Sequence, residues 1–99
     1  MEEIWYTYII ECTDKTLYVG TTNNVEERIL KHNAGKGAKY TKGRGPVKLL
    51  YTHCYESRSE ACKHESDLKR HSKIEKLAII KSPENEMRKK KKPRKTAGL

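Results

Sequence analysis

Ile4-Trp5-Tyr6-Thr7-Tyr8-Ile9-Ile10, then Thr13-Asp14-Lys15, then Thr16-Leu17-Tyr18-Val19-Gly20, is the stretch that decides the fold. The first segment is rich in aromatic and β-branched residues and predicts a strand. The middle has turn chemistry, and the third predicts the returning strand of a hairpin. Strand alternation puts Tyr6 and Tyr8 on one face of the first strand, and the register decides whether Tyr18 lies opposite them.

A helix is expected next. Asn24-Val25-Glu26-Glu27 has the form of a capping box, with Asn24 as N-cap and Glu27 three residues on. Val25 and Ile29 give the apolar stripe, and Gly35 supplies a stop. The basic, glycine-rich run from Gly35 to Gly45 reads as a mobile loop, and Val47 to Tyr55 as a third strand. Ser57-x-x-Glu60 and Ser72-x-x-Glu75 open two further helices, the last ending near Ser82-Pro83. The expected class is α/β in the α+β sense: a small three-stranded antiparallel sheet flanked by helices, in the order β-β-α-β-α-α. Residues 1–82 form the expected domain. Residues 83–99 form a basic tail with almost no apolar residues, for which disorder is expected.

The chain has 99 residues, of which 34% are hydrophobic, enough for one domain with a modest core. No apolar run approaches the roughly 20 residues needed to cross a bilayer. The opening Met1-Glu2-Glu3-Ile4 is acidic where a secretory signal would be basic. A soluble, cytoplasmic protein that does not engage membranes is the expectation. Cys12, Cys54 and Cys62 are three in number, so any disulfide would leave one over, and they read as reduced thiols. The formal net charge is +9, with Arg88, Lys89, Lys90, Lys91, Lys92, Arg94 and Lys95 clustered in the tail. Such a chain attracts polyanions in a salt-dependent way. That points to nucleic acid, but charge alone does not separate DNA from RNA, or binding from cutting.

Glu65 departs from its surroundings. It falls on the face of its helix that carries Ala61, Cys62 and Leu68. A carboxylate there is either a ligand for a divalent ion or the partner of Lys69 in an i,i+4 pair. Arg28 and His32 share one helix face with Lys31. They form either a phosphate grip with an adjacent proton relay or an ordinary solvated basic face. Six tyrosines and no phenylalanine bias the aromatics towards hydroxyl-bearing rings. Tyr8 and Tyr18 are placed to face Arg28 and Glu65, where a phenol can take a proton from water; otherwise they are sheet packing. Cys54, Cys62, His64 and His71 lack the spacing of a zinc site.

These parts occur in a recognisable order. Tyr6-Thr7-Tyr8, Tyr18-Val19-Gly20, Arg28 with His32 four later, and a distal Glu65 resemble the GIY-YIG nuclease family, from about Trp5 to Lys81. Trp5-Tyr6-Thr7-Tyr8, Lys31-His32-Asn33 and the run Ser59 to Glu65 look like its compact stand-alone bacterial members. The resemblance implies a metal-dependent endonuclease hydrolysing phosphodiester bonds of DNA, branched or single-stranded, in repair or recombination. Carried over, Tyr8 and Tyr18 would position or activate water, Arg28 would hold the scissile phosphate and His32 would assist proton transfer. Glu65 would anchor one Mg²⁺ or Mn²⁺. Lys31, Lys36, Lys39, Lys42, Arg44 and Lys69 would grip the nucleic-acid backbone. Many nucleases of the family place an Asn near the domain's end; this sequence departs from that pattern, Asn85 falling in the expected tail. Members of the family usually gain substrate choice from a second domain; a single domain is expected here, and with it a specificity-providing partner protein. The alternatives are a non-catalytic nucleic-acid-binding module on the same fold, and an accessory protein docking through its tail.

Overall fold

A computed structural model describes residues 4–36, 43 and 45–87. Lys39, Lys42, Arg44 and the tail from residue 88 lie outside the described residues. The elements are β1 (Trp5–Glu11), β2 (Leu17–Thr22), α1 (Val25–Asn33), β3 (Lys48–Tyr55), α2 (Arg58–Lys69) and α3 (Lys73–Ile80). They follow the expected β-β-α-β-α-α order. The sheet is antiparallel with β1 in the centre, in the order β2-β1-β3. No helix among the described residues is long and apolar enough to cross a membrane.

Local signals explain the boundaries. The hairpin turn closes through Cys12 and Thr16, with Lys15 at φ 73° and the Asp14 carboxylate accepting from the Thr16 amide and hydroxyl. Asn24, Ser57 and Ser72 each cap a helix by accepting the amide three residues on. Only Ser72 and Glu75 complete the reciprocal capping box. α1 stops as its glycine predicts: Gly35 sits at φ 78°, Lys36 N–H reaches Lys31 O and Gly35 N–H reaches His32 O, a Schellman motif.

The sheet divides the core in two. Tyr8, Ile10, Cys12 and Val47 gather with Tyr18, Ile29 and Leu49 on the α1 side. Ile9, Val19, Tyr51 and Leu68 gather with Leu17, Ile79 and Ile80 on the α2–α3 side. Leu49 and Tyr51 face opposite sides although both are odd-numbered, because β3 carries an irregularity. Ile9 pairs with Tyr51 but Ile10 pairs with Leu49, so Leu50 is the extra residue.

That irregularity draws in part of the expected tail. Asn85 is 2% exposed. Its amide group donates to Leu50 O (2.9 Å) and Ile80 O (2.8 Å), and its Oδ1 accepts from Thr52 N–H (3.4 Å) and Met87 N–H (3.1 Å). The Glu86 carboxylate accepts from Cys54 N–H at 3.1 Å. Two side chains thus satisfy the outer edge of β3, an edge that otherwise invites pairing with another chain. Ordered packing continues to Met87, past the boundary expected at Ser82. Composition hid this because the segment contributes hydrogen bonds rather than apolar area.

Candidate active site

Tyr8 lies at the middle of the central strand, 1% exposed. Directly opposite it on β2 is Gly20. A Cβ at Gly20 would fall inside the Tyr8 phenol. The glycine therefore provides room for the Tyr8 ring to lie across the hairpin. Tyr18 flanks the ring, with centroids 6.4 Å apart.

α1 supplies the next two groups from one face. The Tyr8 hydroxyl and His32 Nε2 are hydrogen-bonded at 3.0 Å. His32 is itself buried, and its ring stands edge-on to Tyr18 at 5.4 Å. Burial, with the Arg28 charge adding to it, lowers the imidazole's pKa, so His32 is neutral at pH 7. Burial raises the Tyr8 pKa, while a hydrogen bond from the Arg28 guanidinium opposes the rise. Arg28 Nε is buried and has no hydrogen-bond partner. A buried guanidinium N–H without an acceptor calls for an anion.

Glu65 arrives from the other side of the sheet. Thr21, one residue past Gly20 on edge strand β2, points to α2 and donates its hydroxyl to Glu65 Oε1 at 2.5 Å. Lys69 Nζ lies 2.7 Å from Glu65 Oε2, so the i,i+4 pair that the sequence offered as the alternative to a metal ligand is formed. That contact raises the Lys69 pKa. The carboxylate is still within electrostatic range of the Tyr8 phenol and contributes to its raised pKa. Tyr18 in turn adds to the rise at Lys69. The sequence reading placed Glu65 before the tyrosine face. In the structure it lies on α2, in the layer opposite Tyr8, held by Thr21 and within electrostatic range of the phenol.

Tyr8, Tyr18, Arg28 and His32 are thus in one cluster and Glu65 is at its rim. Lys31 is exposed beside Arg28 on a cleft, while Lys36 is exposed beyond the end of α1. Among the described residues no three His, Cys, Asp or Glu side chains converge as a metal cluster. Glu65 is a single carboxylate next to a hydroxyl, a hard oxygen set of the kind Mg²⁺ uses when water and phosphate complete its shell. Sequence reasoning missed Thr21, which positions Glu65, and the packing role of Gly20. A strand residue one place beyond the signature glycine was the available signal for Thr21.

A model of the GIY-YIG catalytic domain matches residues 4–78. The chain belongs to the GIY-YIG family. Among its relatives, UPF0213 protein OB0043 of Oceanobacillus iheyensis is 46% identical over 86 residues, covering 87% of this chain and all of that one. UPF0213 protein SH2523 of Staphylococcus haemolyticus is 53% identical over 75 residues, covering 76% and 92% of the two chains. The solution NMR structure of UPF0213 protein BH0048 from Bacillus halodurans has 42% identity and a TM-score of 0.54, covering 82% of this chain and 86% of that one. That of EF2693 from E. faecalis has 38% identity and a TM-score of 0.56, covering 82% and 88%. Family membership makes this a nuclease-type domain and DNA the family's substrate.

Proposed function

We propose that this chain is a divalent-metal-dependent endonuclease that hydrolyses phosphodiester bonds in branched or single-stranded DNA, in repair or recombination. The observation that carries this reading is Arg28: a buried Nε without an acceptor, beside a tyrosine hydrogen-bonded to a neutral histidine. A phosphate oxygen satisfies that N–H. The guanidinium then stabilises the charge that builds on the phosphate during attack.

The Tyr8–His32 pair supplies the proton path. With its own proton on Nδ1, neutral His32 accepts from the Tyr8 hydroxyl through Nε2. Tyr8 takes a proton from the attacking water as it passes its own to His32. Tyr18 flanks both rings and helps confine the water. Glu65, held by Thr21, would hold one Mg²⁺ or Mn²⁺ in place of Lys69. The ion would supply positive charge for the phosphate and the leaving oxygen. Lys31, Lys36, Lys69 and the basic residues of the loop and tail would hold the DNA backbone, which positions the substrate without reading sequence. A cytoplasmic location and a partner protein that narrows substrate choice are part of this reading.

One observation favours the alternative of a non-catalytic binding module: both Glu65 oxygens already have partners, Thr21 and Lys69. Cleavage of labelled duplex, single-stranded and branched DNA with Mg²⁺ or Mn²⁺, with Glu65→Ala in parallel, decides between them. Cutting that disappears in the variant supports the nuclease. Salt-sensitive binding that is the same in both proteins, without cutting, supports the binding module.

A further inference from the structure

A cleft of about 280 Å³ opens at the end of the sheet where β1 begins and β2 ends. It is lined by Trp5 from β1, Thr21 and Thr22 from β2, Asn23 from the turn that follows, and Glu27, Arg28 and Lys31 from α1. The two threonines are already engaged: Thr21 donates to Glu65, and Thr22 bonds to the Asn24 backbone. The cleft also presents one indole, one carboxamide, two cations and a carboxylate. Trp5 is held from outside the cleft by Arg58, whose guanidinium lies over the ring at 5.2 Å from its centroid.

Two lining residues connect this cleft to the site. Arg28 touches the Tyr8 phenol, and Thr21 holds Glu65. A group in the cleft is therefore the immediate neighbour of a phosphate bound at Arg28. The volume lies at the lower bound of the usual small-ligand range, about 300 Å³, and suits one nucleotide rather than a duplex.

We infer that this cleft takes the nucleotide next to the scissile phosphate as an unpaired unit, its base stacked on Trp5 and its phosphate held by Arg28 and Lys31. This deepens the nuclease reading and rests on it. A base within a duplex has both faces covered by its neighbours and cannot offer one to an indole. An unpaired base can, and stacking on an aromatic side chain tolerates any sequence. Trp5 is in this way a specificity-determining residue that selects strand state. Glu27, the acidic wall, is placed to accept from a base amino group or to repel a misplaced phosphate.

Trp5 is the single tryptophan of the chain, so its emission reports directly on the cleft. The test is titration of the full-length protein, in EDTA so that nothing is cut, with an oligothymidylate and with an abasic strand of equal length. Anisotropy of labelled strands gives the affinities. The thymidylate should quench Trp5 emission and the abasic strand should not. Trp5→Leu should weaken thymidylate binding about tenfold relative to the abasic strand, and Trp5→Phe should recover most of it. Equal effects of both strands on the emission, or a folded Trp5→Leu that retains the native preference for thymidylate, overturn the inference. Should Trp5→Leu fail to fold, the emission and the Phe variant decide. Quenching by a protein that never cuts would instead leave the stacking site standing and remove the nuclease reading.

Discussion

Replacing Gly20 with alanine tests how the sheet holds its central tyrosine. The added Cβ would overlap the phenol of Tyr8, which is 1% exposed and packed against Ile10, Cys12 and Val47. The ring has to tilt, or the hairpin has to spread, and overpacking of this kind costs about 1–3 kcal/mol. A tilted ring also loses its 3.0 Å hydrogen bond to His32, worth about 1 kcal/mol. Restricting the unfolded chain returns about 0.4–1 kcal/mol. The net loss is therefore about 1–3.6 kcal/mol, or roughly 4–29 °C in Tm for a domain of this size. Urea titrations of the native chain and the variant, followed by circular dichroism and Trp5 emission, measure it. In a Tyr8→Phe background the same substitution should cost about 1 kcal/mol less, because the hydrogen bond is already gone while the ring overlap persists. Cleavage by Gly20→Ala should fall further than its stability predicts, since the displaced phenol no longer meets His32. A loss below 0.5 kcal/mol with cleavage intact would refute the argument that Gly20 exists for the Tyr8 ring.

Tyr8→Phe alone keeps the packing and removes the hydroxyl. It should lower stability by about 1 kcal/mol but reduce cleavage by about 10²–10⁴-fold, read by single-turnover kinetics on labelled DNA. Asn85→Ala leaves the Leu50 and Ile80 carbonyls and the Thr52 amide without their partners. A loss of about 1–3 kcal/mol or more in urea titration is expected, and ending the chain at Ser82 should be at least as costly. His32 and His64 both have pKa values lowered by burial from the ordinary 6.5. Below that value the unfolded chain binds protons that the folded chain refuses, so stability is full above about pH 6.5. It should decline as pH falls through the lowered folded values. Urea midpoints between pH 5 and 8 should show this slope, and His32→Gln with His64→Gln should flatten it.

Much of the fold was legible because local rules wrote it. The hairpin follows from Trp5–Ile10 and Leu17–Gly20, and α1, α2 and α3 start at capping residues visible in the sequence, Asn24, Ser57 and Ser72. Gly35 ends α1 for the same local reason: a left-handed φ is cheap for glycine. The pairing of Arg28 with His32 on one helix face needed only the 3.6-residue period.

The sequence by itself determined the elements, their order and the identity of the groups that can do chemistry, because capping, alternation and helical period act over a few residues. The tertiary structure decided which groups meet. Register placed Gly20 across from Tyr8, and layer packing brought Glu65 onto Thr21, 44 residues away in the chain. The irregularity at Leu50 gave Asn85 its carbonyl and turned the start of an apparent tail into the cover of an edge strand. Those outcomes depend on contacts between distant segments, and no local pattern encodes which buried donor will meet which acceptor.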